Sequence, residues 1–219
     1  MKKKQNKTSP AISWRYLLYD ITLLSGIPAL LFFRPKKYYL NDKAKKKIKG
    51  GALVISNHIS LFDPMYLMMS LWYRRHHFIA MKELFRTKFT KWLFSKGFLC
   101  IEIDRENISI QTFKNIVNHL KLGEMVTMFP EGHISLNNET QTFKTGMVMM
   151  ALQSKCPIVP IYIKKRKKWY SRLEIAVGEA INISDFKSGP VATIEDINKA
   201  TAYLQEQEKK LEMLCKGEK

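Results

Sequence analysis

Leu53-Val-Ile-Ser-Asn-His-Ile-Ser-Leu-Phe-Asp-Pro64 passes in twelve residues from an apolar run, through a polar loop, to a helix start. Leu53-Val-Ile55 is too short for a helix and rich in β-branched residues. It reads as a strand buried on both faces, where strict alternation of apolar and polar positions is lost. Asp63 followed by Pro64 reads as an N-cap with proline at the first helical position, opening a helix over 64–73. Strand, loop and helix in this order form the unit of an α/β fold, which places its chemistry in loops at the carboxyl ends of strands. In this loop His58 can fold back toward the Asp63 carboxylate. A histidine with a carboxylate on one ring nitrogen has a fixed tautomer and a more basic second nitrogen, as a general base requires. Taken alone, the same residues also read as a simple cap and a loop histidine bonded to backbone.

The alternation continues outward from this loop. Residues 77–81 read as a strand, 83–95 as a helix, 99–103 as a strand, 108–121 as a helix, 125–129 as a strand and 143–153 as a helix. Further strands are expected at 157–163 and 173–177. A long last helix is expected over 194–214, opened by Thr193 with Asp196 three residues on, as in a capping box. The pattern predicts an α/β fold with a mixed, largely parallel sheet flanked by helices. There is no internal repeat and no glycine-rich phosphate loop of Walker or Rossmann type.

The 219 residues carry 37 Lys and Arg against 19 Asp and Glu, a net charge of +18, with 46% hydrophobic residues. That supplies a core and excludes a disordered basic tail. Three scattered cysteines, Cys100, Cys156 and Cys215, make no disulfide framework and no CxxC pair, which fits a reducing compartment. Residues 1–50 hold 13 basic side chains and two acidic ones, so +11 of the charge lies at the front. A second basic run is Lys164-Lys-Arg-Lys-Lys168. Between the N-terminal cations, Ile21 to Phe33 is uncharged for 13 residues, short of the roughly 20 that cross a bilayer as a helix. Trp14, Tyr16 and Tyr19 at one end, cations at both and Pro28 between suit a helical segment lying in the headgroup region. The alternative is an amphipathic helix packed on the protein's own core. Phe33-Arg34-Pro35 offers no signal-peptidase site. The expected division is a membrane-associating segment, 1–35, followed by a domain over 36–219.

Asn57-His58-x4-Asp63 resembles the first motif of the glycerolipid acyltransferases, the family of bacterial 1-acyl-glycerol-3-phosphate acyltransferases. Three more motifs follow in order at predicted strand ends. Gly97-Phe-Leu-Cys-Ile-Glu-Ile-Asp104-Arg105 resembles the second, Phe129-Pro-Glu-Gly132 the third and Ile158-Val-Pro-Ile161 the fourth, with Phe143-Lys-Thr-Gly146 placed as in the family between the last two. The resemblance spans about residues 50–165. It implies transfer of a fatty acyl chain from acyl-carrier protein or acyl-CoA to the hydroxyl of a lysophospholipid such as 1-acyl-glycerol-3-phosphate, in phospholipid biosynthesis. His58 would be the general base and Asp63 its orienting partner, with Asn57, Arg105, Glu131, Gly132, His133 and Lys144 binding substrate. Backbone N–H groups near 131–133 or at the Asp63 helix start are candidate oxyanion donors.

The third motif departs from the family, where Thr-Arg-Ser usually follows the glycine; here the chain reads His133-Ile134-Ser135. The bidentate phosphate ligand is gone and Ile134 does not replace it. Either His133, or Arg105 with Lys144, carries an anionic headgroup, or the acceptor is not the usual lysophosphatidate. No cofactor and no metal is expected, since His76 and His77 would point to opposite faces of a strand. The basic surface suits an anionic membrane, and the expected location is the cytoplasmic face of the cell membrane. The methionines at 65, 68, 69, 147, 149 and 150 read mainly as core, with an acyl tunnel as the other reading. The rival readings are a basic nucleic-acid-binding protein, which leaves the His58 motif without a task, and an inactive membrane-surface adaptor of the same fold.

Overall fold

The computed structural model describes residues 16–26, 28, 35–104, 109–132, 134, 143–166, 168 and 170–217. A seven-stranded sheet runs through it: β1 (Lys36–Tyr39), β2 (Ala52–Ser56), β3 (His76–Met81), β4 (Ile101–Ile103), β5 (Met125–Met128), β6 (Ile158–Ile163) and β7 (Glu174–Val177). The spatial order is β1-β7-β6-β2-β5-β3-β4, and all neighbours are parallel except β6 and β7. This is the mixed, largely parallel sheet expected. Its helices are α1 (Leu17–Ser25), α2 (Asp63–Ser70), α3 (Lys88–Trp92), α4 (Ile110–Lys121), α5 (Gly146–Ser154) and α6 (Ile194–Lys216).

All five residues of β2 are buried, which accounts for its unbroken apolar run. Leu53 and Ile55 point to a core formed with Ile116 and Leu120 of α4, Met147 and Val148 of α5, and Leu204 of α6. Ala52 and Val54 point to the opposite core, with Tyr19 of α1 and Tyr66 and Leu67 of α2. Each fully buried Leu or Ile contributes roughly 1.5–3 kcal/mol, so β2 is clamped from both sides and its carboxyl end is a rigid platform. Gly51, just before it, lies so close to α4 that a Cβ there would sit 2.0 Å from the Leu120 carbonyl oxygen. From β2 the chain leaves through α2 on one face, and from β5 through α5 on the other. The carboxyl ends of β2 and β5 therefore open on a crevice where the winding reverses, the place where such sheets bind ligands.

Two expectations change. The single helix over 83–95 is broken into a 3₁₀ turn (Lys82–Phe85), the short α3 and a π-type turn (Leu93–Gly97). Thr87 causes the break: its hydroxyl accepts from the Thr90 N–H at 3.1 Å and Thr90 returns a bond to the Thr87 N–H at 3.2 Å, a reciprocal cap that restarts the helix. Strand β1 falls in a stretch read only as basic. Its lysines suit an edge strand, where charge discourages further pairing. At the N-terminal segment, α1 packs on the protein's own core. Tyr19 is fully buried and its hydroxyl accepts the His76 N–H at 3.1 Å, while Asp20 pairs with Arg75 at 2.8 Å. The outer face of α1 leaves Leu17, Ile21 and Leu24 42%, 51% and 61% exposed, so this helix holds both an inward packing face and an outward apolar one. Among the described residues no helix is long and apolar enough to cross a membrane. Trp14 and most of 27–34 lie outside the described residues. Thr193 and Asp196 form the expected capping box at the start of α6.

Candidate active site

The loop leaving β2 turns back on itself around one carboxylate. Asp63 is fully buried, and its Oδ2 accepts from the backbone N–H groups of Ile59 at 2.7 Å and Ser60 at 2.8 Å and pairs with His58 Nδ1 at 2.8 Å. Asp63 is not the N-cap expected from the sequence; it is the first residue of α2, and Phe62 precedes it without a side-chain cap. Three donors in the loop outcompete the helix's own N–H groups for the carboxylate. Pro64, which has no N–H to satisfy, lets the helix start there.

Because Asp63 accepts from Nδ1, the His58 proton resides on that nitrogen, and Nε2 carries the lone pair. The imidazole lies face to face with the Phe129 ring, at 4.1 Å between centroids and 15° between planes. Phe129 directly follows β5, so the two strand ends meet at His58. The same turn brings in Glu131, a buried carboxyl whose Oε2 has no hydrogen-bond partner among the described residues. Burial pushes its pKa up to about 7, with the nearby His58 opposing and Asp63 adding to the rise. Gly132 takes φ +78°, the left-handed region, and its N–H closes the turn on the Phe129 carbonyl at 3.0 Å.

Of the other expected site residues, Asn57 is buried, and its amide spans to β6, donating to the Ile163 carbonyl at 2.9 Å and accepting the Ile163 N–H at 2.7 Å. It ties the end of β2 to β6 and so holds the loop's base. Lys144 is exposed, beside the core residue Phe143. Arg105 and His133 lie outside the described residues. Two of the expected oxyanion donors are engaged, Gly132 N–H as above and Asp63 N–H on the Ser60 carbonyl at 3.1 Å. Among the methionines, Met68, Met69, Met147 and Met150 are buried in the two cores.

Two residues of this region were not singled out from sequence. Phe129 was quoted only as part of a motif, although an aromatic at a strand end beside a loop histidine is a recognisable pattern. Arg166 sat in a basic run read as docking charge. It is half-buried beyond the end of β6, with its guanidinium over the Tyr66 ring at 5.2 Å and hydrogen-bonded to the Tyr66 hydroxyl. Tyr66 lies one turn after Asp63, so this cation is held beside the His58–Asp63 loop.

A polarised imidazole at the mouth of an α/β crevice, with a second carboxyl beside it, is equipped to take a proton from a hydroxyl. A model of the Acyltransferase family matches residues 36–164, well over half of the chain. The chain belongs to the Acyltransferase family. The matched region begins at β1 and ends after β6, and it contains every expected site residue. As a family member the protein is an O-acyltransferase and has a donor and an acceptor to bind. It is 28% identical over 185 residues to the 1-acyl-sn-glycerol-3-phosphate acyltransferase of Bacillus subtilis (strain 168), covering 79% of this chain and 89% of that protein. It is 29% identical over 176 residues to the enzyme of the same name from Streptococcus pneumoniae, covering 76% of this chain and 64% of that one. Its fold resembles the crystal structure of the 1-acyl-sn-glycerophosphate (LPA) acyltransferase PlsC from Thermotoga maritima. The TM-score is 0.63 at 17% identity, over 90% of this chain and 81% of that one.

Proposed function

We propose that this acyltransferase moves a fatty acyl chain from an acyl thioester to the hydroxyl of a lysophospholipid of the 1-acyl-glycerol-3-phosphate type, with His58 as general base. The observation that carries the proposal is the 2.8 Å bond between His58 Nδ1 and the buried Asp63, which engages one ring nitrogen and leaves Nε2 to take the proton. The acceptor oxygen attacks the thioester carbonyl while His58 Nε2 takes its proton, assistance typically worth about 10²–10⁴-fold. As the tetrahedral adduct collapses, the C–S bond breaks and the imidazolium returns the proton to the leaving thiolate. Ester and free thiol are the products, and no acyl-enzyme is needed. Asp63 stabilises the imidazolium between the two proton transfers.

The missing third-motif arginine leaves the headgroup in need of a cation. Arg166 is a fixed guanidinium near the loop and is proposed as a phosphate ligand, with Arg105 as the family-derived companion. The donor is proposed to be acyl-CoA or acyl-carrier protein, both anionic and both suited to the basic surface. Membrane docking is proposed for the outer face of α1, where Leu17, Ile21 and Leu24 are exposed, together with Phe89 and Trp92 of α3, 67% and 51% exposed. The two elements are joined, since α1 packs against the turn Leu93–Gly97 that continues α3. Lys88, Lys91 and Lys96 on the same stretch add attraction to anionic lipid, roughly 1 kcal/mol each near the surface.

The test is acyl transfer by the purified full chain, with acyl-CoA and acyl-carrier protein as donors, to a panel of lysolipids with and without a terminal phosphate. The proposal expects lysophosphatidate to be acylated fastest. Transfer to none of the panel contradicts it. Preference for a neutral or amine-bearing lysolipid would reassign the acceptor and remove Arg166 from its proposed role.

A further inference from the structure

At the opposite end of the sheet from His58, three side chains converge that acyl transfer does not use. His77 is the second residue of β3, His119 lies in the last turn of α4, and Glu124 immediately precedes β5. Glu124 Oε2 lies 2.5 Å from His119 Nδ1 and 3.4 Å from His77 Nε2, and one ligand atom from each residue falls within 4.8 Å of the others. The two imidazoles are 4.6 Å apart at 40°, so they converge on the carboxylate without stacking in parallel. His77 is buried, and His119 and Glu124 have side chains only 19% and 18% exposed. We propose that His77, His119 and Glu124 form a divalent transition-metal site, best suited to Zn²⁺, with the fourth position left to water.

The donor chemistry selects the ion. Two imidazole nitrogens and one carboxylate oxygen suit zinc, which binds such ligands at about 2.0–2.2 Å in tetrahedral geometry. Ligand atoms at those lengths sit about 3.3–3.5 Å apart in a tetrahedron, and the His77–Glu124 pair is already at 3.4 Å. The proton between His119 Nδ1 and Glu124 Oε2 occupies the position an ion would take. Binding releases that proton to solvent and opens the pair to the ligand spacing.

The backbone around the cluster is built to hold it. Helix α4 ends in a Schellman turn, with the Glu124 N–H on the His119 carbonyl at 3.1 Å, the Gly123 N–H on the Leu120 carbonyl at 3.0 Å, and Gly123 at φ +85°. This turn usually brings two apolar side chains together at the positions taken here by His119 and Glu124. Arg74 fixes the same turn by donating to the carbonyls of Gly123, Gly50 and Ile48 at 2.7, 2.8 and 3.1 Å. Tyr16, at the entry to α1, donates to Glu124 Oε1 at 3.3 Å. An ion here would cross-link β3, the α4–β5 turn and, through Glu124, the start of α1. It is a structural staple, remote from the acyl-transfer crevice.

The test uses the untagged full chain, stripped with chelator and titrated with Zn²⁺ and, for a spectroscopic readout, Co²⁺. The proposal expects one ion per chain, visible d–d absorption of tetrahedral cobalt, and a zinc-dependent rise in melting temperature. His119→Ala and Glu124→Gln should each weaken binding at least about tenfold, the smallest loss seen even for outer-shell partners, while His58→Ala should bind as wild type does. Glu124→Gln keeps the shape of the side chain, so it guards against misfolding. No stoichiometric binding by the wild type, or binding that survives both ligand variants, or binding lost with His58→Ala, overturns the proposal.

Discussion

At the scale of single residues, Asp63 supports most of the proposed chemistry. Its Oδ2 collects two backbone N–H groups and the imidazole, so it shapes the loop and sets the histidine's tautomer with one oxygen. Asp63→Asn keeps the volume but offers the imidazole either an NH₂ or a neutral oxygen, and the loop N–H groups compete for that oxygen. The expected result is a fall in kcat of about 10²–10⁴-fold, the range of the lost base assistance, with KM for the acceptor little changed. Steady-state kinetics check this; a rise of equal size confined to KM, with kcat unchanged, would assign Asp63 to acceptor binding. The histidine–carboxylate pair was legible in the sequence because five residues of loop and a Pro64-marked helix start leave few ways to close the turn. The contact of His58 with Phe129 was not legible, because it joins strand ends 71 positions apart that only the sheet order brings together. The cluster of His77, His119 and Glu124 escaped for the same reason, although a helix end followed by glycine flags the pairing of 119 with 124.

At the scale of elements, the N-terminal helix best separates what sequence reveals from what it hides. Its apolar and aromatic content was plain, but composition does not say which face packs inward. The structure divides it: Tyr19 is buried and Leu17, Ile21 and Leu24 are exposed. Replacing those three exposed residues with serine leaves the inward face intact. The variant should keep its melting temperature and bind anionic liposomes at least about tenfold more weakly, since one buried Leu or Ile side chain is worth roughly 1.5–3 kcal/mol. Flotation with phosphatidylglycerol vesicles measures it, and unchanged flotation would remove this face from the docking surface. The broken helix between 82 and 97 shows a local effect overriding a periodic pattern: helical periodicity favoured one helix, and the Thr87–Thr90 cap divided it.

At the scale of the whole molecule, α6 brings a charge problem to the crevice side of the sheet. Glu208 is buried with neither carboxyl oxygen hydrogen-bonded to any described residue. Burial, reinforced by the charges of Glu131 and Glu212, pushes its pKa up from 4.5 to about 8. A carboxyl with a raised folded-state pKa takes up a proton on folding. Its contribution to stability is fully present below about 4.5 and is lost as pH rises through about 8. Glu208→Gln should therefore melt close to the wild type at pH 5 and on the order of 10 °C above it at pH 9, at the roughly 2–4 °C per kcal/mol of a domain this size. Calorimetry at the two pH values measures the difference, and an equal shift at both would mean that ionisation is not involved. The α/β class and the mixed, largely parallel sheet followed from the alternation of apolar runs, while the strand order did not. This carboxylate pairing did not, because a glutamate in a charged helix gives no sign of which turn faces the sheet.

The central claim is that His58 is the base for acyl transfer to a lysophospholipid hydroxyl. The most direct measurement is the rate of acyl transfer to lysophosphatidate by folded wild type and His58→Ala side by side at pH 7.5, with the melting temperature of each recorded. The account predicts measurable transfer by the wild type and a loss of at least about 10²-fold in the variant, at a melting temperature close to the parent's. Transfer by His58→Ala at the wild-type rate would contradict it.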